Sequence, residues 1–226
     1  QQRAYDKKKN LTIKENQPAI YITNLGKYTE GKHVGQWLNV PATQDQFNQA
    51  LKNIGVDGVQ YEEYFLTDWE NIGGISQYSN IERVNDMAKI QIAINEKLYN
   101  FFGADQEITY FNDDKYKVME ILNDYAKEQA DELTTDEIIE NIESMRIFAQ
   151  DQYNTCIVNF ANYLIDELDY INFKAIEKID QNIINYFDFE KFGHDKLIEL
   201  NANSDVIVGT YEVGKLNDTI IIVTLF

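Results

Sequence analysis

A single cysteine, Cys156, stands in 226 residues, so no intrachain disulfide can form. His33 and His194 are the only histidines, and with one cysteine they supply none of the recurrent zinc spacings. Arginine is scarce as well: Arg3, Arg83 and Arg146 are the only ones, although arginine is the side chain that forks onto phosphate and reads guanine. Apolar runs such as Ile220–Val223 fall far short of the ~18 residues of a membrane span. There is no G-x-x-x-x-G-K-[ST], G-x-G-x-x-G, H-E-x-x-H or EF-hand loop, so phosphate cradles and metal-assisted hydrolysis lack their usual sequence handles. Behind Arg3, Lys7, Lys8, Lys9 and Lys14 there is no apolar segment of the kind a secretory signal needs. A soluble protein of the reducing cytoplasm, with no cofactor and no metal, is the expectation.

What is abundant is negative charge. Against 20 Lys and Arg stand 38 Asp and Glu, a formal net charge of −18. Residues 1–16 hold five bases and two acids, so the rest of the chain carries −21. Such a body repels phosphate polyanions and anionic lipid, which excludes ordinary nucleic-acid or membrane-surface binding. Two stretches concentrate the acids: 57–70 holds Asp57, Glu62, Glu63, Asp68 and Glu70 with no base, and 120–143 holds nine acids against Lys127 alone. Runs of this kind are ordinarily solvated helix faces. A monomer of this size exposes roughly 10,000 to 11,000 Å², on the order of 280 Å² per carboxylate if spread evenly. Duplex DNA exposes on the order of 110 Å² per phosphate. Even spreading does not imitate DNA, but carboxylates gathered onto about two-fifths of the surface reach its charge density.

Periodicity outlines an α+β chain. Residues 1–17 form a basic polar tail. Ile20, Ile22 and Leu25 alternate with polar neighbours, and a turn from Gly26 to Gly31 leads to Val34–Val40, a β-hairpin. Thr43 with Gln46 caps a helix that presents Phe47, Leu51 and Ile54 and stops at Gly55; Gln60–Trp69 reads as a third strand. Ser79 with Glu82 forms a capping box for a helix that Gly103 ends. Two more helices follow between Lys115 and Glu143, the second capped by Thr134 with Glu137. Met145–Ala149 is a short strand. Tyr153, Ile157, Phe160, Ala161, Leu164 and Leu168 trace one helix face, and Val206–Val213 and Thr219–Phe226 flank a turn at Gly214–Asp218. The predicted architecture has three small domains, 18–72, 73–142 and 143–226, with no doubly wound sheet.

Few residues invite catalysis. Cys156 lies beside Ile157 on an amphipathic helix, where a core or helix-flank thiol is the ordinary reading rather than a nucleophile. His194, in Phe192-Gly193-His194-Asp195, reads as a solvated turn residue, and His33 as a hairpin residue. Carboxylate pairs of glycosidase type arise by chance in so acidic a chain. Tyr21, Tyr28, Trp37 and Tyr64 fall at strand spacing and read as sheet packing.

The hairpin carries a resemblance. Ile20-Tyr21-Ile22-Thr23-Asn24-Leu25-Gly26-Lys27-Tyr28-Thr29-Glu30-Gly31, then Gly35-Gln36-Trp37, is similar to the I-Y-x-x-x-L-x-x-Y-x-x-G and G-x-W opening of the ArdA antirestriction proteins. Tyr61-Glu62-Glu63-Tyr64 with Asp68 resembles that family's acidic third strand, and Tyr78-Ser79-Asn80-Ile81 its Y-x-S-I helix start. The segment from Asn185 to Asp195 resembles its N-Y-I-D-Y-x-x-Y-G-R-D-L stretch, with His194 in place of the Arg. Residues 83–150 match weakly.

The resemblance implies a non-enzymatic mimic of bent B-form DNA that occupies the DNA groove of type I restriction-modification enzymes, at their methyltransferase core, and protects an incoming mobile element. It implies an elongated homodimer joined through the C-terminal domain, and turn-forming roles for Gly26, Gly31, Gly35 and Gly193. The candidate mimic acids are Glu62, Glu63, Asp68 and Glu70 in the first domain, and Asp124, Glu128, Asp131 and Glu132 on the middle helices. Asp151, Asp166, Glu167 and Asp169 join them around the helix similar to the family's antirestriction segment. Two other classes share the composition: an acidic anti-defence inhibitor or scaffold for another nucleic-acid-binding partner, and a carboxylate-based hydrolase.

Overall fold

The computed structural model describes residues 17–102, 112–148, 153–177, 182–202, 207–213 and 218–223. Its contacts divide the chain into two compact units, Gln1–Tyr99 with Asn123–Glu140, and Asn100–Leu122 with Asn141–Phe226.

The first unit is built on a three-stranded antiparallel sheet. β1 (Ala19–Asn24) pairs with β2 (Gly35–Asn39) on one side and β3 (Tyr64–Glu70) on the other. As the central strand β1 is buried on both faces, with Ala19, Ile20, Ile22, Thr23 and Asn24 each at most 3% exposed. The predicted β1–β2 hairpin is present, but its connection contains a short helix, α1 (Leu25–Thr29), so Gly26 is helical rather than part of a turn. Gly31 does serve the turn, at φ +80°. Gly35 is not a turn glycine either: it lies in β2, where a Cβ would meet the Ile22 carbonyl oxygen at 2.6 Å.

Buried Asn24 ties these pieces together. Its Oδ1 accepts from the Lys27 N–H at 2.9 Å to cap α1, and its Nδ2 donates to the Ile54 carbonyl at 3.2 Å. That carbonyl ends α2 (Gln44–Asn53), which begins in the predicted capping box of Thr43 and Gln46 and packs over β1 and β2 with Phe47 and Ala50 buried. β3 starts at Tyr64, not at the predicted Gln60. The Asp57 carboxylate accepts from the N–H groups of Val59, Gln60 and Tyr61 at 2.9, 2.9 and 3.0 Å, and so holds in a turn the backbone that strand pairing would use.

α3 (Ile81–Phe102) starts one residue later than the Ser79 cap implies. Asn80 Oδ1 accepts from the Arg83 N–H at 2.9 Å, while Ser79 Oγ is engaged by the Ser76 N–H at 2.9 Å, so the Ser79–Glu82 box does not form. Asn85 on α3 clamps Ala42, accepting from its N–H and donating to its carbonyl, both at 2.8 Å. α4 (Asn112–Gln129) and α5 (Thr135–Ser144) follow; the predicted capping box of Thr134 and Glu137 starts α5, with bonds of 3.3 and 2.8 Å.

The second unit holds another antiparallel sheet, in the order β4 (Arg146–Phe148), β6 (Asp218–Val223), β5 (Ile207–Val213). α6 (Cys156–Asp166) packs on β4 and β6, burying Cys156, Ile157, Phe160 and Leu164 with Leu200 and Ile221. The face was drawn too long in sequence: Tyr153 precedes α6 at 83% exposure and Leu168 follows it at 36%. After α7 (Phe173–Glu177) and a 3-10 turn at Ile183–Tyr186 comes α8 (Phe189–Ala202). The supposed turn at Gly193-His194 lies inside this helix. Gly193 is there because α6 passes close by; a Cβ would meet the Ile157 carbonyl oxygen at 2.6 Å. The predicted ends of the last two strands, the glycine turn between them, Gly103 and Ala149 lie outside the described residues. Two small antiparallel sheets packed with helices make an α+β fold, not a doubly wound one.

Candidate partner-binding surface

Carboxylates, not a pocket, dominate the surface. Glu62 and Glu63 occupy the segment between the Asp57 turn and β3, and Asp68 lies within β3; all three are exposed. Glu70 differs, half-buried at the end of β3 opposite Ala19. Asp124 and Glu128, four residues apart, share an exposed face of α4, and Asp131 and Glu132 are exposed in the turn after it. Asp166 closes α6, Glu167 is its C-cap, and Asp169 follows in a left-handed conformation at φ +53°; all are exposed. Asp151 lies outside the described residues. The structure thus brings the acids together as local sets on β3, α4 and the end of α6.

Sequence reasoning passed over another set. Asp136, Glu140 and Glu143, at i, i+4 and i+7, are exposed along α5, while Ile138 and Ile142 are buried on its other side. That spacing was readable from the pattern of isoleucines.

Which carboxylates are already engaged separates structural acids from available ones. Glu30 takes the Lys32 ammonium at 3.0 Å and the Tyr61 hydroxyl at 3.0 Å, and these two bonds, the Lys32 one first, hold its carboxyl below the ordinary value. Asp57 is lowered by the three backbone N–H groups of its turn, and Glu137 by the N–H and hydroxyl of Thr134. Asp86, Asp195 and Glu199 pair with Lys89, Lys191 and Lys196 on their own helices. None of the ten exposed candidates, Glu62, Glu63, Asp68, Asp124, Glu128, Asp131, Glu132, Asp166, Glu167 and Asp169, forms an ion pair with a described residue. Among the described residues these carboxylates have no cation of their own.

The family model for the antirestriction protein ArdA matches residues 20–213, most of the chain. The chain belongs to the ArdA family. No curated protein matches it. All twelve candidate acids fall within the ArdA match, as do the hairpin, Gly193 and His194. The ArdA family consists of inhibitor proteins. Cys156 is 1% exposed in the core of the second unit, and His194 is exposed on α8. His33 is exposed and rests edge-on against Tyr28 at 5.2 Å. Among the described residues no group of three or more His, Cys, Asp or Glu is arranged to hold a metal, and no helix is long and apolar enough to cross a membrane.

The aromatic residues of the ArdA hairpin pack as expected. Tyr21 meets Trp37 edge-on at 5.4 Å, Tyr28 meets Phe65 at 5.1 Å, and Tyr64 meets Phe47 at 5.2 Å. Burial, then the charge of Glu82, pushes the Tyr64 phenol up. On the sheet face away from α2, Tyr21, Tyr28, Phe65, Thr67 and Trp69 line a groove of about 660 Å³ whose far bank is Ile75–Gln77.

Proposed function

We propose that this ArdA protein inhibits type I restriction-modification enzymes by occupying their DNA groove as a mimic of bent B-form DNA, its carboxylates standing where phosphates bind. The observation that carries this reading is ten exposed acids that form no ion pair with a described residue. Exposed carboxylates on an arginine-poor chain gain both association rate and affinity from a channel lined with lysine and arginine. The partner is the methyltransferase core, the inhibitor acts as a homodimer joined through residues 143–226, and the setting is the cytoplasm of a cell receiving a mobile element. The working division of labour is an acidic module at 18–72, a helical acidic module at 73–142 and a dimerising module at 143–226.

Titration of a type I enzyme against a labelled DNA site is the test. Inhibition is stoichiometric and completes near one inhibitor dimer per DNA-binding core. Complete inhibition far below that ratio points to turnover and overturns the mimic. An inhibitor that leaves type I DNA binding untouched yet binds another nucleic-acid enzyme assigns the acids to that partner instead.

A further inference from the structure

We infer that the aromatic groove on the first sheet receives an arginine side chain of the partner protein, its guanidinium stacked on the indole of Trp69. The inference rests on the proposed function, in which the inhibitor meets a basic channel. Phe65, Thr67 and Trp69 lie on one face of β3, and two-residue steps of an extended strand set Phe65 and Trp69 about 13 Å apart. Rings hold the first end: Tyr28 meets Phe65 edge-on at 5.1 Å and His33 at 5.2 Å. The middle is polar, where the Thr23 and Thr67 hydroxyls share a 2.7 Å bond. Trp69 marks the other end. The bank Ile75–Gln77 is fixed to β3 by the bond from the Leu66 N–H to the Gln77 carbonyl at 2.9 Å. Tyr28 and Trp69 remain 42% and 37% exposed, so aromatic surface is presented between these walls.

Size and charge together select the occupant. A helix 10–12 Å across fills on the order of 500 Å³ per turn, so a groove of about 660 Å³ has room for little more than one turn and suits an extended side chain. Among the described residues its lining holds no Lys, Arg, Asp or Glu, and no cation stands over Tyr28, Phe65 or Trp69. The two lysines of the β1–β2 hairpin are used elsewhere. Lys27 donates to the Ile54 carbonyl at 3.2 Å and lies over Tyr61, and Lys32 pairs with Glu30 at 3.0 Å. The surrounding field is negative, since exposed Asp68 sits between Thr67 and Trp69 in β3 and 57–70 carries five acids and no base. That field draws in a cation and repels an acidic segment or a phosphate. An aromatic face then holds the cation through its quadrupole, tryptophan best of all. Arginine fits better than lysine, because its planar guanidinium is weakly hydrated and stacks on rings while its stem lies along apolar lining. Its N–H donors have Thr67 and Gln77 as acceptors in the same groove.

Two measurements on the full chain test this. With the two tryptophans labelled with heavy nitrogen, N-acetyl-arginine amide is titrated at constant ionic strength and the indole N–H resonances are followed. The Trp69 resonance, identified by its loss in Trp69→Phe, shifts saturably, while that of buried Trp37 stays in place. The citrulline analogue, which has arginine's shape without its charge, binds at least about fivefold more weakly. No saturable shift at Trp69, or an equal response to citrulline, overturns the inference. In the second measurement Trp69→Leu, which keeps apolar cover but has no π face, weakens inhibition of a type I enzyme about 2- to 30-fold at unchanged circular dichroism, and Trp69→Phe restores part of the loss. Undiminished inhibition by Trp69→Leu, or Phe no better than Leu, overturns it equally. The titration contains no enzyme, so the two readings fail separately. A missing shift with inhibition intact removes the groove's role alone, whereas a shift in an inhibitor that leaves type I DNA binding untouched removes the proposed function.

Discussion

Gly193 stands mid-helix in α8, where alanine is ordinarily the better residue by about 1 kcal/mol. Here the sign reverses, because a Cβ would press on the Ile157 carbonyl oxygen at 2.6 Å and Ile157 Cγ1 at 3.0 Å, atoms of a packed helix with no room to yield. Gly193→Ala is expected to lower stability by about 1 to 3 kcal/mol, as overpacking does, read from urea denaturation; an unchanged or higher midpoint means α6 and α8 do not meet at this residue. Glu137 offers a pH-dependent counterpart. Its carboxyl is lowered by the Thr134 N–H and hydroxyl, so the charged cap contributes above the unfolded carboxylate value of about 4.3 and is lost as the pH falls through the lower folded value. Glu137→Gln keeps an acceptor without the charge. The stability difference between it and the parent is expected to be present at neutral pH and to vanish on acidification, followed by thermal melts across that range.

At the level of elements, what could be read in advance was local. The caps of α2 and α5 rest on residues three positions apart and the β1–β2 hairpin on strands adjacent in sequence, and the structure forms each of them. What escaped depended on distant partners or on competing bonds. α8 was hidden because Gly193-His194 looks like punctuation, and only the passage of α6 explains a helical glycine there. β3 was drawn too long because nothing local shows that Asp57 would capture three N–H groups. The candidate acids were legible as composition; of the eleven that are described ten are exposed, and strand pairing half-buries Glu70. The Asp136, Glu140 and Glu143 face of α5 was missed for want of applying helical spacing to the acids as well as to the isoleucines. Neutralising Asp124, Glu128, Asp131 and Glu132 together is expected to weaken enzyme inhibition by orders of magnitude. Each single change costs a few-fold, since one exposed pair is worth about 0.2 to 1 kcal/mol and more once dried by an interface. The melting temperature of the block variant should not fall, because Glu128 near the C-terminus of α4 opposes the helix dipole and its neutralisation relieves that repulsion. A single carboxylate that abolishes inhibition in a folded protein would contradict distributed contacts.

For the whole molecule, a net charge of −18 makes ionic strength the decisive variable. Binding to a type I methyltransferase core, measured directly between 50 and 500 mM salt, is expected to weaken steadily as screening tightens from about 14 to 4 Å; a salt-independent dissociation constant would mean an apolar interface. Sedimentation of the full chain is expected to report twice the chain mass, and a monomer at micromolar concentration would remove the proposed dimer. The full chain is the right material for that measurement, because the two contact units are interleaved: residues up to Tyr99 are completed by Asn123–Glu140, and those after Asn141 by Asn100–Leu122. The same interleaving governs biogenesis. On a translating ribosome the first sheet emerges well before the helical residues that complete its unit. The roughly forty residues from Asn100 to Glu140 take about two to eight seconds to synthesise at ~5 to 20 residues per second. Throughout that interval the nascent chain holds a half-built core, and a chaperone that shields exposed apolar faces would find its substrate there rather than in the finished protein.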